Sequence, residues 1–206
     1  MKKKIYAFLL LLVLCTTIIS AQQSTTIKDI IKAIVQEKEE PLIVVGQTND
    51  ARDVVAAASI GKSVRPDFIN YKLDTEFSPD FTEKYLVIVG GPCANTLWAK
   101  YSTFTCENWP YADIKGIMQL KEQNGKTILL IAGSFGDDTE SVTKKLLEDY
   151  LTDTIYENSE TIIKYTEEEK EKVKNGIYLC GNGRCDKGES AFENNDAIEY
   201  CPLDCH

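Results

Sequence analysis

Histidine is nearly absent from this chain of 206 residues, since the only one is His206. Without an internal histidine there is no base for Ser-His or Cys-His catalysis, and the histidine-rich zinc sites are excluded as well. The glycine patterns that bind phosphates are also missing. Gly61-Lys62-Ser63 and Gly125-Lys126-Thr127 end like a P-loop, but Ala56 and Leu120 stand where the first glycine is required. The sequence therefore predicts no enzyme.

Positive charge is scarce relative to negative charge. The chain has 23 Lys and Arg against 32 Asp and Glu, a formal net charge of -9. Three of the lysines precede an apolar run at the N-terminus, so the mature chain is near -12 (-9 minus 3). A strongly acidic protein repels phosphate backbones and anionic lipids, so we expect no nucleic-acid partner.

The sequence has one long apolar run, at its N-terminus. Lys2 to Lys4 precede the almost unbroken apolar stretch Ile5 to Leu14, and Ser20-Ala21 supplies small residues before a cleavage point. This pattern predicts a signal peptide over residues 1–21 and a secreted or cell-surface protein. The run is short for a membrane span, which needs about 20 residues. The alternative is an uncleaved anchor, which would then be the membrane contact.

The cysteines fit an exported chain. Of seven, Cys15 leaves with the signal peptide, and an even number remains. An even set in an oxidising compartment predicts disulfides. We expect one bridge between Cys93 and Cys106, with a reactive Cys93 as the alternative. Two more bridges are predicted in the tail, with their pairing open, among Cys180, Cys185, Cys201 and Cys205.

Three apolar runs end at Gly46, Gly90 and Gly133, which are 44 and 43 residues apart. Small or acidic residues and then a potential helix follow each glycine. This repeat predicts an α/β fold over residues 22–165, a small and mostly parallel sheet with crossover helices. Gln123-Asn124-Gly125 predicts a hairpin turn. A charged run then predicts a helical linker at 166–177, followed by a short disulfide-rich C-terminal module at 178–206.

The turns after the predicted strands are candidate ligand residues, because ligands bind at the carboxyl ends of parallel strands. This set comprises Gly46, Asn49, Asp50, Gly90, Asn95, Gly133, Asp137 and Asp138. Helix capping is the alternative explanation of its acids. A glycan-binding module is a second hypothesis, with Trp98 or Trp109 as a stacking surface. A third is a hydrolase with two facing carboxylates, drawn from Asp50, Asp53, Asp137 and Asp138.

The C-terminal module is too short to fold on apolar burial alone, so bridges or a metal must hold it. Its Gly-rich turns carry many oxygen donors, which are the ligands that calcium prefers. The predicted calcium ligands are Asn182, Asp186, Glu189 and Asp204. The alternative is a disulfide knot with solvated acids, and no other cofactor is predicted.

Two stretches resemble known proteins. Val87 to Asn95, with Leu129 to Gly133 and the Asp138-Thr139 helix start, resembles the α/β domain of archaeal S-layer and S-layer-like surface proteins. Val44-Val45-Gly46 and the helix after it are similar to the opening of the same domain. The tail is similar to C-G-N-G-x-C … C-P-x-D-C modules of exported proteins, although its stretch between Cys185 and Cys201 is longer than expected for these modules.

This resemblance implies a structural role at the cell surface, without catalysis and without an organic cofactor. The implied partners are envelope or surface proteins or glycans. The chain is far shorter than a lattice-forming protein and shows no C-terminal anchor segment. We therefore expect a small S-layer-related protein and not the lattice subunit itself.

Overall fold

The computed structural model describes residues 25–48, 51–110 and 113–174, and the backbone of 189–190 and 199–200. The predicted signal peptide lies outside these ranges, as does most of the predicted cysteine-rich module. Within the described part of the chain, no helix combines the length and the apolar character needed to cross a bilayer.

A six-stranded mixed sheet forms the centre of the fold. Its strands are β1 (Leu42–Val45), β2 (Tyr71–Leu73), β3 (Tyr85–Val89), β4 (Ile114–Gln123), β5 (Lys126–Gly133) and β6 (Glu160–Lys164). Their order across the sheet is β2-β1-β3-β5-β4-β6. The first four strands in this order, β2, β1, β3 and β5, run parallel to one another, while β4 runs antiparallel to β5 and β6. The predicted α/β fold is therefore confirmed.

Helices cover one face of this sheet. The chain forms α1 (Ile27–Val35), α2 (Ala51–Val64), α3 (Trp98–Tyr101), α4 (Gly136–Asp149) and α5 (Glu167–Lys174). Short 3-10 helices lie at Asp74–Glu76 and Thr154–Glu157. The apolar sides of α1, α2 and α4 bury Ile31, Ile60 and Leu146 against alternate residues of the central strands. Every residue of β1 and β3 is buried, as expected for parallel strands that are covered on both faces.

The opposite face is covered differently, because the helix of the second unit is short. The first and third units have full helices after their strands, but β3 is followed only by the four-residue α3 within a loop. Cys93 and Cys106 form a disulfide across this loop, with 4.6 Å between their Cα atoms, which confirms that predicted bridge. The loop buries Leu97, Trp98 and Trp109 against the sheet. A cross-linked loop thus takes the place of the second crossover helix.

Two local features set the geometry of β4. Asn124 and Gly125 have φ values of 53° and 73°, the left-handed pair of a two-residue hairpin turn, so the predicted turn is confirmed. At the other end of β4, Ile114 pairs with Lys164 and Gly116 pairs with Ile163. Lys115 is the extra residue of this β-bulge, and bulges redirect the side chains beside them.

The charged run after β6 forms a helix at α5, inside the predicted linker. The helix contacts the domain, because Lys115 Nζ lies 2.7 Å from Glu169 Oε1. Farther along, the backbone of Glu189–Ser190 (β7) pairs in parallel with that of Glu199–Tyr200 (β8). The remaining predictions for the tail, including its bridges, lie outside the described residues.

Candidate functional site

The carboxyl ends of β1, β3 and β5 meet at one edge of the sheet, as the sequence predicts. In the observed register, Val45 pairs with Val89, and Val89 pairs with Ile131. Gly46 and Gly90, which directly follow β1 and β3, and Gly133, the last residue of β5, therefore lie at the same edge. Asn49 and Asp50, the other predicted residues of the first turn, lie outside the described residues.

The protein's own atoms fill the space around these glycines. A Cβ atom placed on Gly46 would lie 1.8 Å from the carbonyl oxygen of Ala94, and one on Gly133 would lie 2.1 Å from the amide nitrogen of Thr139. Gly90 has a φ of 95°, and its Cβ would lie 2.8 Å from Asp53 Oδ2. These glycines permit close packing of the edge loops, which is a structural role. That they also line a ligand site stays a prediction.

Asn95 is a fully buried connector between two strand ends. Its amide group donates to the carbonyl oxygens of Val44 and Val89, at 3.3 and 3.1 Å. Its side-chain oxygen accepts from the amide of Leu97 at 3.1 Å. The Asn95 side chain thus forms its hydrogen bonds with backbone groups, and these bonds stabilise the ends of β1 and β3.

Asp74 is a residue of this edge that sequence reasoning missed. Its Oδ1 accepts from the amide of Gln47 at 2.8 Å. Its Oδ2 accepts from the amide and the hydroxyl of Thr96, at 2.8 and 2.7 Å. One buried carboxylate therefore joins the loops that follow β1, β2 and β3. Burial alone would raise the pKa of Asp74, but the bonds from Thr96 and Gln47 outweigh it and lower the pKa.

We expect Asp74→Asn to lower the free energy of unfolding at pH 7 by about 2 kcal/mol, because a neutral amide replaces a carboxylate that accepts three bonds. Since the folded pKa of Asp74 is lowered, its charge stabilises the fold above the unfolded pKa of about 3.8, and this contribution is lost as the pH falls through the folded value. Urea unfolding at pH 7 and at pH 3 measures both effects, and the difference between variant and wild type should shrink at pH 3.

The exposed Asp80 supplies the matched control, and Asp80→Asn should change the stability by less than about 0.5 kcal/mol. Equal losses for the two variants would contradict the role assigned to Asp74.

The two acids of the third turn have different partners. Asp137 Oδ1 lies 3.0 Å from Arg52 Nε, and the same guanidinium lies 2.9 Å from Glu140, so Arg52 ties α2 to α4. Asp138 is buried and accepts a hydrogen bond from the hydroxyl of Tyr165. The hypothesis of a hydrolase with two facing carboxylates gains no support from these contacts.

The predicted stacking role of Trp98 and Trp109 is wrong, because both side chains are buried. Trp98 is fully buried and Trp109 is 5% exposed. Their rings meet edge to face, with centroids 5.5 Å apart. Both indole N–H groups donate internally, to the carbonyl oxygen of Gly90 and, at 3.0 Å, to Ser134 Oγ. A sugar ring has no access to either face without unfolding of the loop.

No cluster of three or more His, Cys, Asp or Glu side chains suited to a metal ion occurs among residues 25–48, 51–110 and 113–174. The predicted calcium ligands Asn182, Asp186 and Asp204 lie outside the described residues. Of Glu189 only the backbone is described. Calcium binding by the tail therefore stays a prediction.

Residues 68–150 match the model of a family described as "S-layer like family, outer domain". The matched segment runs from just before β2 to the end of α4, and it includes the disulfide-closed loop and the β4–β5 hairpin. It covers most of the stretch in which the sequence resembles this family. A comparison with curated proteins gives no match.

Proposed function

We propose that this protein acts as an exported, non-catalytic structural protein of the cell surface, because residues 68–150 match the model of the S-layer-like outer-domain family. In this proposal the α/β domain is a scaffold. The cysteine-rich module contacts envelope proteins or surface glycans. The family match is the observation that carries the proposal.

Three features of the described residues support a scaffold. The Cys93–Cys106 bridge is typical of proteins from oxidising compartments. At the carboxyl edge, Gly46 and Gly133 pack against backbone atoms, and Gly90 packs against the side chain of Asp53. Asp74 and Asn95 bind neighbouring backbone groups, so the polar residues of the edge hold loops together.

Cell fractionation followed by non-reducing peptide mapping tests the proposal. We expect a mature chain that begins after Ala21, recovered from the envelope or the medium. Its Cys93 and Cys106 peptides should be linked, and alkylation without reduction should label no cysteine. A full-length chain with reduced cysteines in the cytoplasm would overturn the proposal.

Calcium binding by the C-terminal module is a separate part of the proposal, supported by its density of oxygen donors. We expect calcium to raise the unfolding temperature of the oxidised full-length protein in calorimetry, and an excess of chelator to reverse the shift. The double variant Asp186→Asn/Glu189→Gln should lose the shift and keep the stability of the α/β domain. Equal shifts in variant and wild type would contradict the assigned ligands.

A further inference from the structure

Asp138 and Tyr165 form a buried pair at the point where α5 meets the domain. Asp138 lies in the first turn of α4, and Tyr165 directly follows β6; each is only 5% exposed. The Tyr165 hydroxyl donates to Asp138 Oδ2. This buried hydrogen bond joins the start of α4 to the segment that leads into α5.

A second pair fixes α5 beside the first one. The bulge residue Lys115 donates to Glu169 at 2.7 Å, and the two side chains are only 20% and 26% exposed. Glu169 also completes a reciprocal cap at the start of α5. Its Oε2 accepts from the amide of Thr166 at 2.8 Å, and its own amide donates to Thr166 Oγ1 at 3.2 Å. One side chain thus both starts the helix and attaches it to the sheet.

The positive charge of Lys115 acts on two carboxylates, those of Glu169 and Asp138. Lys115 favours ionisation of Asp138, whereas Glu169 opposes it. Burial is the larger influence and raises the pKa of Asp138 to about 6, although the Tyr165 hydrogen bond acts in the opposite direction. For Glu169, burial is outweighed by hydrogen bonds from Lys115 and Thr166, which lower its pKa. Arg52, the nearby cation of α2, is paired with Asp137 and Glu140.

We propose that Asp138, Tyr165, Lys115 and Glu169 form a pH-dependent latch, which holds α5 on the domain more firmly in mildly acidic than in neutral solution. The α5 helix leads into the cysteine-rich tail, so the latch controls how closely the start of the tail is held. The latch does not depend on the proposed surface role, and it is tested on the purified protein.

The direction follows from the two states of Asp138. When the latch is closed, its pKa is about 6; when it opens into water, the pKa returns to its ordinary value of 3.8. Between these values, only the closed state binds the proton, so acid favours closure. The carboxylate of Glu169 stays ionised in this range because its pKa is lowered. Above pH 6 the closed state must bury a charged carboxylate, and the latch weakens.

Hydrogen exchange of the amides of 166–174 in the full-length oxidised protein tests the latch. After correction for intrinsic exchange rates, we expect the fraction of molecules in which α5 is detached from the domain to be about tenfold lower at pH 5 than at pH 7. Asp138→Asn should remove this pH dependence and stay protected at both pH values. Tyr165→Phe should move the midpoint of the pH dependence upward, because the phenol that lowers the pKa of Asp138 is gone.

Asp137→Asn is the matched control, since it neutralises the adjacent carboxylate, which is exposed and paired with Arg52. This variant should keep the pH dependence of the wild type. Circular dichroism establishes that each variant is folded. An unchanged pH dependence in Asp138→Asn would overturn the proposal, and so would wild-type protection of 166–174 that does not vary between pH 5 and pH 7.

Discussion

Trp98→Ala is expected to lower the free energy of unfolding by about 3–5 kcal/mol, the usual loss for a large buried aromatic residue. Trp98 is fully buried on the face of the sheet that lacks long helices, and its ring contacts Trp109. Its indole N–H donates to the carbonyl oxygen of Gly90, so the substitution also leaves a buried acceptor without this donor. Equilibrium urea unfolding, followed by far-ultraviolet circular dichroism, measures the loss.

Two companion variants separate the causes of this loss. Trp98→Phe keeps much of the apolar contact but removes the indole N–H, so it should cost clearly less than Trp98→Ala. Leu151→Ala truncates a residue that is 47% exposed and should cost less than about 0.5 kcal/mol. If Trp98→Ala were as mild as Leu151→Ala, the cross-linked loop would not belong to the cooperative core.

Replacing both bridge cysteines, Cys93→Ala/Cys106→Ala, is expected to cost about 3 kcal/mol. The bridge joins residues 13 positions apart, and the chain-entropy model assigns about this stabilisation to a loop of that length. Packing contributes to the loss as well, because the loop that the bridge closes contains Trp98, which packs against the sheet. Urea unfolding of the oxidised wild type, the reduced wild type and the double variant measures the effect.

The reduced wild type should match the double variant, since both lack the covalent link. Adding Trp98→Ala to the double variant should then cost less than it does in the oxidised wild type, because contacts within one loop are coupled. Full additivity of the two changes would show that the bridge and the tryptophan stabilise the fold independently.

The elements that depend on local patterns could be predicted from the sequence. The apolar runs before Gly46, Gly90 and Gly133 are short and β-branched, which predicts buried parallel strands. Asn124-Gly125 predicts its hairpin because the turn requires two left-handed residues. The Cys93–Cys106 pair was predictable because it alone lies outside the tail once the signal peptide is set aside.

The features that depend on distant contacts could not be predicted. Asp74 is an ordinary acid after a weak edge strand, and its importance comes from Gln47 and Thr96, which lie on other loops. Asp138 looks like a helix-capping acid, and its burial and its bond from Tyr165, 27 residues away, depend on tertiary packing. Apolar periodicity also carries no information about which layer covers which face of the sheet, so the position of the Cys93–Cys106 loop opposite α1, α2 and α4 is visible only in the structure.

The bridge also decides what a single backbone cut would do. Proteolysis between Cys93 and Cys106 divides the chain into one piece with β1 to β3 and another with β4 to β6. The two pieces remain joined by the sulfur–sulfur bond and by the paired strands β3 and β5. A cut at this position therefore leaves the two pieces together until a reductant and a denaturant act at the same time. The protein should in this way tolerate proteases that cleave the exposed part of this loop.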